Sequence, residues 1–83
     1  MSVLKKEILE LKAKLADAKN QVEELEMKSD AQVMVIRDKI DPYSNPDEMD
    51  LKSARVALNE LIKIQEEYIR NKKLIKELED DLG

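Results

Sequence analysis

Cysteine, histidine, phenylalanine and tryptophan are absent from this 83-residue sequence; glycine occurs once, proline twice, and the only aromatic residues are Tyr43 and Tyr68. Without cysteine or histidine there are no disulfides, no thiolate or imidazole metal ligands, no imidazole base, and no histidine switch near neutral pH. The one glycine is the last residue, Gly83, so there is no glycine-rich loop to cradle a phosphate. Long apolar runs are missing as well. The opening MSVLKKEILELK breaks up its leucines with lysines and glutamates, unlike the core of a signal peptide, and no segment approaches membrane-spanning length. A cytoplasmic protein without membrane contact is therefore expected. Ser2 as a helix cap and Gly83 as a helix stop are expected to bound a complete small protein.

What is present is charge and aliphatic side chains. Charged residues make up 41% and hydrophobic residues 42% of the chain, the balance of long helices and coiled coils rather than of sheets. With 15 basic against 19 acidic residues the net charge is −4, so nucleic acid and anionic membranes repel the protein as a whole and any binding to them must be local.

Pro42 and Pro46 divide two helical patterns of similar length. In the first, Leu4, Ile8, Leu11, Leu15, Ala18, Val22 and Leu25 alternate spacings of four and three, the seam of a left-handed coiled coil. The seam is expected to continue through Ser29, Val33, Ile36 and Ile40, with a stutter after Leu25 that unwinds the supercoil locally. Its counterpart is Ala54, Ala57, Leu61, Ile64, Tyr68, Asn71, Ile75, Leu78 and Leu82. The spacing predicts a first helix over 3–40, a turn over 41–45 and a second helix over 46–82, capped by Asn45 with Pro46 in its first position.

The fold class read from these patterns is all-α, an antiparallel two-helix hairpin forming a single domain over 1–83. A turn centred on Tyr43 pairs residues whose numbers sum to about 86, which places Tyr68 over Ala18, Ser29 against Ala57 and Asn71 opposite Leu15. The rod is then on the order of 55 Å long, at 1.5 Å per residue. The lone seam asparagine either fixes register or is a solvated amide.

One two-helix seam does not use all the apolar residues. Val33, Met34, Val35 and Ile36 follow one another around all sides of the first helix, and Leu51, Leu58, Ile62 and Ile69 form a second stripe on the other. A contiguous exposed patch of this kind marks an interface. The expected cover is a second copy of the chain, giving a homodimeric four-helix bundle through Val33, Met34, Val35, Leu51, Leu58, Ile62 and Ile69. An unidentified protein partner is the rival.

Catalysis has little support. The acidic runs lie off the seam and interleave with lysines as solvated faces do, and helical di-metal sites need Glu-x-x-His, which this chain cannot supply. No enzyme activity, cofactor or metal site is expected. The function expected is protein–protein binding by a small helical assembly protein. Arg70, Lys72, Lys73 and Lys76 form the most basic stretch and would supply phosphate contacts if the protein were an accessory to a nucleic-acid-processing enzyme. A small inhibitor or ligand-sequestering oligomer would share the same features. Tyr43, at the turn between the prolines, is a candidate partner contact.

Overall fold

A computed structural model describes residues 2–83, with side chains from Leu4 onward. Helix α1 spans Ser2–Lys39 and helix α2 spans Leu51–Leu82, and the two pack against each other as an antiparallel hairpin measuring 68 × 16 × 14 Å. The cap expected at Ser2 lies outside the described side chains.

The core is one stripe per helix. Ala18, Val22 and Leu25 of α1 and Ala54, Ala57, Ile64 and Leu78 of α2 are buried, and Leu25, at 2% exposure, is the most enclosed large side chain. On α2 every seam position expected from the spacing is buried or half-buried. On α1 the seam departs from expectation beyond Leu25. The half-buried positions are Ser29, Gln32, Ile36 and Lys39, while Val33 and Ile40 are exposed. The four–three alternation thus continues without a stutter. Gln32 and Lys39 hold seam positions because the helix phase is set by the long regular stretch before them, and their aliphatic stems cover apolar surface while their polar ends reach water.

The connection is longer than expected. Ser44 donates its N–H to the Asp41 carbonyl at 3.0 Å, and the Tyr43 N–H is held by Asp41 Oδ1 at 2.9 Å. Pro46–Glu48 form only a single 3-10 turn, and Met49 then returns to extended backbone at φ −73°, ψ 132°. Helix α2 begins five residues after Pro46, at Leu51, and its N-cap is Asp50, whose carboxylate accepts the Ser53 N–H at 3.1 Å. Asn45 makes no side-chain bond to a helix N–H; its amide reaches Glu48 Oε1 at 3.4 Å. Asparagine and aspartate are comparable N-caps, and what Asp50 adds is a charge that meets Lys39 Nζ at 3.9 Å, tying the end of α1 to the start of α2.

That later start moves the register. Tyr68 bonds Glu26, Lys19 pairs with Glu79 at 3.8 Å, and one groove is lined by Ser29 and Val33 together with Leu61 and Ile64. Residue numbers sum to about 93 in this register, one heptad more than the 86 expected from a turn at Tyr43. In the expected register Glu79 would lie level with residue 7, about 18 Å along the axis from Lys19. No such ion pair could form. Moving the midpoint of the connection from Tyr43 to between Pro46 and Asp47 adds seven to the sum, and a seam that repeats every seven residues fits both alignments. The observed register sets Tyr68 against Leu25, Ile75 against Ala18, Ile64 against Ser29 and Asn71 against Val22. Ala18 under Ile75 and Ser29 under Ile64 still set small against large.

The shift leaves the first turns of α1 beyond the end of α2. Leu4 is accordingly 61% exposed, although it lies on the seam. This overhang and the longer connection account for a rod of 68 Å in place of the 55 Å expected.

Candidate interaction surface

The flank of the seam that carries the surplus apolar residues can be assigned residue by residue. Successive residues of an α-helix are rotated by about 100°, so Val33 and Val35 point about 200° apart. They cannot share a face. Val33 lies in an open groove of about 510 Å³ along one side of the hairpin, lined also by Leu58, Ile62, Gln65 and the acidic pair Glu26 and Asp30. Val35 lies on the other side of α1.

Leu51 and Ile69 extend this groove. Each is seven residues from a groove residue, Leu51 from Leu58 and Ile69 from Ile62, so each repeats its neighbour's orientation two turns along. All four are exposed, as is Val33. The expected patch therefore divides: Val33, Leu51, Leu58, Ile62 and Ile69 are brought to one face, and Met34 and Val35 are not.

Met34 belongs to a second hollow, where it lies with Arg37, Ile40, Pro42 and Tyr43. Tyr43 is 95% exposed. Its backbone is fixed by Asp41, which leaves the phenol presented at the tip of the hairpin.

Arg70, Lys72, Lys73 and Lys76 are all exposed and fall within about 160° of arc on the outer side of α2. Lys72 is partly engaged, its Nζ 5.9 Å from the centre of the Tyr68 ring. Nearby, Lys19 is paired with Glu79. Asn71 donates to the Glu67 carbonyl one turn back at 2.9 Å, so its amide is satisfied within its own helix and makes no bond across the seam.

Among the described residues two ionisable groups are perturbed, both through hydrogen bonds. Asp50 is held below the usual carboxylate range chiefly by side-chain and backbone bonds from Ser53, with Lys39 and Lys52 adding attraction. Tyr68 is raised above the usual phenol range because its hydroxyl donates to the Glu26 carboxylate, with partial burial acting in the same direction. Tyr68 lines the groove beside Glu26, its hydrogen-bond partner, whereas Asp50 lies at the start of α2 away from it. Among the described residues no cluster of acidic side chains has metal-binding geometry, and no helix is long and apolar enough to cross a membrane.

Sequence reasoning missed Gln32 and Lys39 as seam residues and Asp50 as the cap. The signal for Asp50 was present, since an aspartate directly precedes the first apolar residue of α2. Glu26 and Asp30, which border the groove, carried no signal until the register placed them there. No protein-family model, curated protein or solved structure matches this chain.

Proposed function

We propose that this protein is a non-enzymatic helical interaction module that works by protein–protein binding, assembling with itself into a dimeric four-helix bundle. The observation that carries this reading is the convergence of Val33, Leu58 and Ile62 on one groove, extended by Leu51 and Ile69, in a hairpin whose own seam is already filled. Five exposed aliphatic side chains lie on one face of this 83-residue rod. At about 25 cal/mol per Å2, covering a Leu, Ile or Val side chain contributes roughly 1.5–3 kcal/mol. The same side of the rod is charged toward its open end, with Glu23, Lys72 and Lys76, so the apolar face is confined to the half nearest the turn. In this reading the turn half is the assembly domain. The open ends and the Tyr43 tips remain available to a further protein.

Placing glutamate at Leu58 and Ile62 tests the reading. The double variant is expected to keep the helix content of the wild type while its sedimentation mass falls to that of one chain. Glutamate at Val35, on the far side of α1, is expected to leave the mass unchanged. Equal masses for the wild type and the Leu58/Ile62 variant would remove the support for self-assembly through this face.

A further inference from the structure

The second stripe of α2 has a symmetry that its first seam lacks. In chain order it reads Leu51, Arg55, Leu58, Ile62, Gln65 and Ile69, again with spacings of four and three. Laid antiparallel against itself about its midpoint, Leu58 meets Ile62 of a second copy, Leu51 meets Ile69, and Arg55 meets Gln65. Each apolar residue finds an apolar partner, and each polar residue a polar one.

Other alignments lack this match. Sliding one stripe by a heptad sets Arg55 against Leu58 in one direction and Ile62 against Gln65 in the other. A parallel arrangement sets Arg55 against Arg55. Along the outer flank of the matched alignment, Lys52 of one copy falls opposite Glu66 of the other, an attractive pair.

Helix α1 is consistent with the same axis. The hairpin register places Val33 level with residue 60, the midpoint of the α2 stripe, and Val33 lines the groove on the same side as Leu58 and Ile62. A twofold there brings Val33 toward its own copy and sets Arg37 between Glu26 and Asp30 of the other chain. The acidic border of the groove thereby meets a cation from the same surface, as an isologous interface requires.

We infer that a second copy of this chain covers the groove, docked antiparallel about a twofold axis that passes between Leu58 and Ile62 of α2 and level with Val33 of α1. This rests on the self-assembly reading above and adds its geometry. The turn halves overlap as four helices, and the open ends leave in opposite directions as two-stranded arms. Measured from the axis to Ser2 in each copy, the assembly is on the order of 90 Å long, at 1.5 Å per residue.

The chain contains no cysteine, so single-site spin labels can be placed without altering a native thiol. Four full-length variants carry one cysteine each on the exposed flank of α2: Lys52→Cys, Asn59→Cys, Glu66→Cys and Lys73→Cys. The axial separations expected between copies are about 24, 3, 18 and 39 Å, a V-shaped profile with its minimum at Asn59. Dipolar spectroscopy reads the longer three, and broadening of the continuous-wave spectrum reads the shortest. Short distances at all four sites, or a minimum at another site, would overturn the antiparallel register while leaving self-assembly in place. No inter-copy distance in protein with the mass of one chain would overturn self-assembly itself.

Discussion

Tyr68 and Glu26, 42 residues apart in the chain, are joined by a 3.1 Å bond from the phenol to the carboxylate. That bond spans the seam in the observed register, and it borders the groove through which the hairpin is proposed to dimerise. It also carries a pH signature. Because the bond and the adjacent negative charge favour the neutral phenol, Tyr68 ionises above the ordinary tyrosine value of about 10. Its contribution to stability is complete below that value and is lost as pH rises through the raised folded-state pKa.

In a Tyr43→Phe background, where Tyr68 is the only tyrosine, the tyrosinate absorbance is therefore expected to rise later in an alkaline titration than that of a free tyrosine. Adding Glu26→Gln removes the charge and is expected to bring the midpoint down. Coincident curves for the two proteins would show that the bond is not formed in solution.

Register is testable by cross-linking. Ser29→Cys with Ile64→Cys places both thiols in one layer of the observed seam, and mild oxidation is expected to close an intramolecular disulfide. Ser29→Cys with Ala57→Cys is offset by one heptad, about 10 Å along the axis, and is expected to stay open within the chain. The reverse result would restore a turn centred on Tyr43.

Much of this hairpin was legible from spacing alone, and the limit of that legibility has a physical cause. Nine α2 seam positions from Ala54 to Leu82 are placed where their three–four alternation puts them, because apolar periodicity reports directly on which side of a helix is covered. The same periodicity is blind to a slip of seven residues. Only the connection breaks that degeneracy, and its length depended on whether Asn45 or Asp50 starts α2. For the interaction face, the second stripe of α2 was visible as a stripe. The position of Val35 was not, because four consecutive apolar residues have no period, and only the packed seam shows which of them faces the groove.

Core substitutions should follow burial rather than hydrophobicity. Leu25→Ala removes a side chain that is 2% exposed and is expected to cost about 2–5 kcal/mol in denaturant unfolding. Leu9→Ala, at a position 63% exposed, is expected to have an effect within about 0.5 kcal/mol of zero.

At the start of α2, Asp50→Ala is expected to lower the melting temperature more than Asn45→Ala does, since only Asp50 accepts a helix N–H. The depressed carboxyl of Asp50 adds stability that is present above the ordinary aspartate value of about 3.9 and is lost as pH falls through its lower folded-state value. Asp50→Asn keeps a capping oxygen without the charge. It is expected to flatten part of the loss of stability below pH 4, measured by thermal unfolding at several pH values.

The measurement that bears most directly on the central claim is the solution mass of the unmodified protein by light scattering over a wide concentration range. Self-assembly through the groove face predicts a plateau at twice the 9.6 kDa of one chain, with dissociation only on dilution. A mass of 9.6 kDa at every concentration would contradict it and leave Val33, Leu58 and Ile62 without the partner proposed for them.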